Sequence, residues 1–170
     1  MTTRLAIIGD THIRSFEELP MEMIMEIKNS DWVIHTGDYI SPDLIKELVR
    51  IKKDKFKGVY GNADPTSVRD LVPSKELLVI SGMKIGITHP ASGGSSSITE
   101  NRVISQFQNM DVDLIIFGHT HEPLIEYNDK ILLVNPGKGY LESESFGPST
   151  TMAIVFIDDK IRGEIKEIRL

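Results

Sequence analysis

Short apolar runs alternate with helical patterns over the first two thirds of the chain. Residues 4–8 read as a buried strand, and residues 20–28 as a helix with Pro20 near its first turn. Residues 32–35 form a second strand. Ser41-Pro42-Asp43 joins an N-cap to a proline at the first helical position and opens a helix to about residue 51. Residues 58–60 end a third strand. The rhythm then changes. Residues 77–80 and 83–88 flank Ser81-Gly82 as a hairpin, and a helix near residues 99–109 precedes a strand at 114–117. Two more hairpins join 124–127 to 131–134 and 152–157 to 161–168. The last strand alternates apolar and polar positions, as an edge or half-exposed strand does. Strand–helix–strand units imply right-handed crossovers with helices against a sheet. The hairpins add antiparallel pairs. Two packed sheets with helices outside accommodate both, so the expected class is α/β. No internal repeat and no linker divides residues 1–170, which read as a single domain.

Polar residues with metal-binding chemistry fall just beyond these strands. Asp10 and His12 follow the first, Asp38 the second and Asn62 the third. His89 follows the run at 85–88, and His119 and His121 follow 114–117. Open α/β sheets bind ligands beyond the carboxyl ends of their strands, so five strands deliver seven candidates to one edge. Asp10/His12 and His119/His121 are spaced i, i+2, which in extended backbone points both side chains to one side. Oxygen and imidazole donors without sulfur suit Mn²⁺, Fe²⁺, Co²⁺, Ni²⁺ or Zn²⁺ better than Ca²⁺ or Mg²⁺. Seven donors exceed what one zinc ion needs. With one bridging carboxylate they make two four-donor sites.

Composition narrows the function. The chain has no cysteine, which removes disulfides, thiolate metal sites and cysteine nucleophiles. The apolar run at residues 5–8 is too short for a signal peptide, and no stretch approaches a membrane span. A soluble, cytoplasmic protein is expected. A net charge of −6 without a basic run disfavours nucleic acid as a partner. Lys52, Lys53, Lys55 and Lys57 sit at a helix end, where cations suit the macrodipole. Met21, Met23 and Met25 cannot share one helix face; core packing or a subunit contact, and so a homo-oligomer, accounts for them better than a cofactor.

Asp10-Thr11-His12, Gly37-Asp38, Gly61-Asn62, Thr88-His89 and Gly118-His119-Thr120-His121 resemble, in order, the five blocks of the calcineurin-like metallophosphoesterases. The likeness is to their small single-domain bacterial and archaeal phosphodiesterase branch. It implies a four-layer αββα sandwich, two mixed β-sheets flanked by helices. It also implies that Asp10, His12 and His121 hold one divalent cation, that Asn62, His89 and His119 hold a second, and that Asp38 bridges. The expected reaction is hydrolysis of a small phosphoester, a phosphodiester above all, by metal-bound hydroxide. Two dications against two carboxylates and one hydroxide leave about one positive charge to attract phosphate. No protein nucleophile or base is then required.

The sequence also departs from the family. Many members carry His after the Gly-Asn, as a general acid or phosphate contact; here Ala63 stands there. His89 is followed by Pro90-Ala91 rather than Gly-His, and Arg14 falls where a small residue is common. Arg14, Asp64 and Lys138 are candidate substrate contacts. Asp64 has a structural alternative, orienting a neighbour or capping residues 65–69, and Lys138 follows a turn, Asn135-Pro136-Gly137, of family type. Residues 91–97 are either a phosphate cradle or a plain surface loop. His35 matches no block and reads as a hydrogen-bonded interior residue. Two other functions compete with the hydrolase. One is a non-enzymatic scaffold, as in a retromer subunit of this fold with an altered metal site. The other is a nuclease, whose relatives carry the missing His.

Overall fold

Residues 1–91, 95–141 and 149–169 are described by the computed structural model. Ten strands among them form two five-stranded sheets. The first runs β10-β9-β1-β2-β3, where β1 is Thr3–Ile8, β2 Trp32–His35, β3 Phe56–Gly58, β9 Thr151–Ile157 and β10 Ile161–Glu167. The second runs β4-β5-β6-β8-β7, with β4 Lys75–Ile80, β5 Met83–Thr88, β6 Leu114–Phe117, β7 Leu124–Asn128 and β8 Ile131–Asn135. β1, β2 and β3 are parallel, as are β5, β6 and β8. The expected hairpins β4–β5, β7–β8 and β9–β10 pair antiparallel.

The alternation of side chains along each strand sorts the core into layers. From β1, Ala6 and Ile8 face one cluster with Met23, Ile27, Leu44 and Leu48, while Leu5 and Ile7 face another. That second cluster holds Ile85, Ile87, Leu114 and Ile116, so it lies between the sheets. Ile115 and Phe117 turn the other way, onto Val103 and Phe107. The order is helices α1 (Met21–Asn29) and α2 (Pro42–Lys52), first sheet, second sheet, then α4 (Ser96–Gln106). This is the αββα sandwich. Both faces of β1 and β6 are buried, which is why these strands read as unbroken apolar runs.

The helices obey their sequence cues. Ser41 Oγ accepts from the Asp43 N–H at 3.2 Å and Pro42 opens α2. Met23 is fully buried in α1 while Met21 and Met25 lie exposed. α4 begins three residues earlier than its pattern predicts and ends earlier too, with Asn109 turning left-handed at φ 64° beyond it. A short helix α3, Thr66–Arg69, follows Asp64 but takes no side-chain cap from it. Ser92, Gly93 and Gly94 of the loop considered as a phosphate cradle lie outside the described residues. No helix among the described residues is long and apolar enough to cross a membrane.

Candidate metal centre

The turns after β1 and β2 are zipped together by backbone. Asp10 N–H donates to Gly37 O at 2.9 Å and His12 N–H to Asp38 O at 3.1 Å. From the second sheet, His119 N–H donates to Asp10 Oδ2 at 3.0 Å. Gly139 N–H reaches Asp10 O at 3.2 Å and brings in the segment after β8. These bonds bring Asp10, His12, Asp38 and His119 to one edge.

They do not meet as extended pairs. Asp10, His12, Asp38, His119 and His121 all have positive φ, between 46° and 81°. Non-glycine residues pay for that region and hold it only where surrounding bonds over-determine it. The i, i+2 pairs converge through left-handed turns, so the extended-backbone expectation is corrected while its outcome stands. Gly61 and Gly118 leave the needed space. A Cβ on Gly61 would lie 2.0 Å from Asp38 Oδ1, and one on Gly118 2.8 Å from Asp10 Oδ2.

Two clusters of donor atoms result, each within 4.8 Å: Asp10, His12 and His121, and Asp10, Asp38 and His89. His121 Nε2 stands 3.2 Å from Asp10 Oδ1. Asp38 Oδ1 is occupied by the Ala63 N–H at 2.9 Å. Its Oδ2 is left 3.6 Å from both His12 Nε2 and His89 Nε2, so one oxygen faces both clusters. Asn62 Oδ1 lies 3.1 Å from His89 Nε2 and 2.9 Å from His119 Nδ1, adding two donors on the far side of Asp38.

Cations fit this arrangement. His12 Nε2 is buried without a hydrogen-bond partner, a costly state for a polar atom, and Asp10 Oδ1 has the His121 ring nitrogen at 3.2 Å but no well-aligned hydrogen bond. His89 Nδ1 is 2.8 Å from Thr36 O. A carbonyl only accepts, so Nδ1 carries the proton. With Nδ1 committed to Thr36 O, Nε2 faces two acceptor oxygens, Asn62 Oδ1 and Asp38 Oδ2, an arrangement that a cation among them satisfies. Burial opposes charge on Asp10, yet His121, His89 and the His119 N–H more than offset it and hold its pKa below the usual carboxylate value. Burial, then neighbouring His89, lowers His119, whereas pairing with Asp10 raises His121.

The remaining candidates separate. Asp64 is 3% exposed, and its Oδ1 accepts from Ile40 N–H while Oδ2 accepts from Asp38 and Gly61 N–H, all at 2.8 Å. Both oxygens are committed to backbone, which corrects its assignment as a substrate contact and equally the idea of a helix cap. Arg14 is exposed, and its backbone N–H binds Glu18. Lys138 is buried, with its ammonium 4.9 Å from the centre of the Tyr140 ring. Tyr140 packs edge-on to His12 at 5.5 Å and His121 at 5.9 Å. Sequence reasoning missed Tyr140, which no spacing marked. Asn135 is buried, donates to Thr120 Oγ1 at 2.9 Å and accepts from Gly137 N–H, tying its turn to the His119–His121 segment. His35 is an interior residue as expected, stacked on Tyr39 with ring centres 3.6 Å apart.

Known proteins resemble this chain in sequence and in fold. Residues 3–160 match the calcineurin-like phosphoesterase superfamily domain. A probable metallophosphoesterase of Methanocaldococcus jannaschii is 36% identical over 140 residues, 80% of this chain and 68% of the relative. A phosphodiesterase of the same organism is 29% identical over 184 residues, covering 98% of this chain and 99% of the relative. A Thermotoga maritima protein solved in solution superposes with a TM-score of 0.72 at 29% identity, covering 97% of this chain and 99% of that one.

Proposed function

This chain belongs to the calcineurin-like phosphoesterase superfamily, and from that premise we propose that it is a phosphodiesterase working through two divalent transition-metal ions. One is held by Asp10, His12 and His121 and the other by Asn62, His89 and His119, with Asp38 shared. The observation that carries this reading is the position of Asp38 Oδ2, 3.6 Å from an imidazole nitrogen of each cluster. A buried carboxylate oxygen between two histidines has little use in an apolar core, but it suits a bridge. When bound, such cations supply a water acid enough to attack phosphorus at neutral pH and neutralise the phosphoryl oxygens.

The residues of the chain do the rest. Asp10 and Asp38 are buried carboxylates, so two dications leave the site positive although the whole chain is acidic. Thr36 O orients His89, and Ala63 N–H orients Asp38. Lys138, buried with its ammonium over the Tyr140 ring that packs on His12 and His121, adds positive potential for a phosphate. Ala63 offers no proton to a leaving group, so esters of acidic alcohols are the favoured substrates. The name of the full-length archaeal relative supports a diester over a monoester.

The test strips the protein with chelator and restores Mn²⁺, Ni²⁺, Co²⁺, Zn²⁺ or Mg²⁺ singly. Bis-p-nitrophenyl phosphate is then compared with p-nitrophenyl phosphate. Transition-metal ions should restore turnover, with the diester ahead. Silence with every cation would discard the enzyme and favour the scaffold.

A further inference from the structure

We infer that Asp64 is a positioning residue whose buried carboxylate sets the spacing between Asp38 and Asn62, and so the second cation's hold on the site. The inference rests on the two-cation reading above. Asp64 receives the N–H groups of Asp38, Ile40 and Gly61, each at 2.8 Å. The first two belong to the turn after β2 and the third to the turn carrying Asn62. One charged group thus gathers two donor-bearing loops. The clasp is reciprocal: Asp38 Oδ1 takes the Ala63 N–H from the loop that Asp64 belongs to. That bond turns Asp38 Oδ2 toward His12 and His89.

The outer side of the same loop is held independently. Arg69 Nε donates to Asp64 O at 2.8 Å and its Nη2 to Asn62 O at 3.3 Å, while its guanidinium lies over Tyr60 at 5.0 Å. The loop therefore keeps its outer anchor if the carboxylate is changed. The inner connection to the backbone N–H groups of Asp38 and Ile40 depends on the Asp64 carboxylate. Asp38 and Ile40 have φ of 58° and 69°, conformations that need external support. Charge-assisted bonds to their N–H groups are that support, and an amide in place of the carboxylate presents one N–H₂ to a backbone N–H. Asp38 is then free to relax, and its Oδ2 leaves the point midway between the two histidines.

The experiment loads chelator-stripped protein with Mn²⁺ alone and reads electron paramagnetic resonance. Two Mn²⁺ ions sharing a carboxylate oxygen give an exchange-coupled spectrum, which mere foldedness does not produce. Wild type should show it at two ions per chain. Asp64→Asn and Asp64→Glu should need at least tenfold more Mn²⁺ and give the spectrum of isolated ions. Glu26→Gln, which loosens the fold away from the site, should keep the coupled spectrum. A coupled spectrum of wild-type affinity in both Asp64 variants overturns the inference and leaves the two-cation reading standing. Loss of coupling in Glu26→Gln overturns it as well, since stability alone would explain the effect. Failure of both Asp64 variants to fold by circular dichroism also counts against it, because the carboxylate would then serve the fold as a whole. Absence of coupling in wild type removes the two-cation reading first and this inference with it.

Discussion

Nε2 of His35 donates to Oγ1 of Thr11 across 3.0 Å. The direction follows from the other ring nitrogen, which accepts the Gly37 N–H at 3.1 Å. Thr11 separates Asp10 from His12, and Gly37 precedes Asp38. One buried imidazole thus links the two turns that carry three of the seven donors.

This makes His35 a source of acid sensitivity. Burial is the main cause that brings its pKa from 6.5 down to about 3. The unfolded chain binds this proton near pH 6.5 and the folded chain does not, so stability is full above that value and erodes as pH falls toward 3. The slope is at most about 1.4 kcal/mol per pH unit. Urea denaturation of metal-free protein between pH 7.5 and 4 should show a shallower decline in His35→Gln than in wild type. Parallel curves would refute the assignment.

Asp38 Oδ2 faces a histidine on each side, whereas Asn62 Oδ1 lies against His89 and His119. Asp38→Ala should therefore lose both cations on dialysis, and Asn62→Ala only one. Metal-to-protein ratios by elemental analysis decide. Turnover of either should fall by about 100-fold or more, since even residues that merely orient a ligand cost about 10–100-fold. Equal loss in the two variants would contradict the assignment of donors.

Ala63 is exposed beside the centre and its N–H is already used by Asp38. Ala63→His adds a proton donor without touching that bond. Alkyl diesters should gain about 100-fold, within the usual range for general acid catalysis, and nitrophenyl diesters little. Rates plotted against leaving-group pKa should fall steeply in wild type and flatten in the variant. A flat wild-type plot, with chemistry limiting, points to another donor.

Glu26 of α1 pairs with Arg4 of β1 and Lys166 of β10. Burial opposes its charge, but Lys166 and Arg4 more than offset that and hold its pKa below 4.5. Its contribution is present above about pH 4.5 and vanishes as pH drops through the lower folded value. Arg4 and Lys166 are 25% and 32% exposed, so Glu26→Gln should cost only about 1 kcal/mol at pH 7. Guanidinium titrations at pH 7 and pH 3 should show the difference shrinking at the lower pH. A constant gap would mean that packing is responsible.

Much of the candidate site is legible in the sequence, because a strand buried on both faces must end before a charged residue can appear. Asp10, Asp38 and His119 are conspicuous for that reason, and the ends of β1, β2 and β6 locate them. The left-handed turns are not legible. Nothing local in Asp10-Thr11-His12 demands positive φ; the demand comes from Gly37 and Asp38, more than two dozen residues away. Asp64 shows the same limit. A carboxylate before a short helix suggests a cap, and only the approach of the β2 turn reveals that three N–H groups claim it instead. The 3-10 turn at Phe16–Glu18 is different, because a local Ser15/Glu18 capping box closes it.

The donors come from both sides of a seam. Asp10, His12, Asp38 and Asn62 hang from the first sheet, and His89, His119 and His121 from the second. Deeper in the seam the two halves adhere through aliphatic side chains such as Ile7, Ile87 and Ile116, which offer cohesion without direction, and directional contacts such as Tyr127 Oη to Ile161 O lie away from the site. An ion gripped across the top would act as a rivet, and its binding energy would be added to the docking of the halves. Trimming a methyl group deep in the seam should therefore loosen the grip on the ion from a distance, and a chelator should soften the interior it never enters.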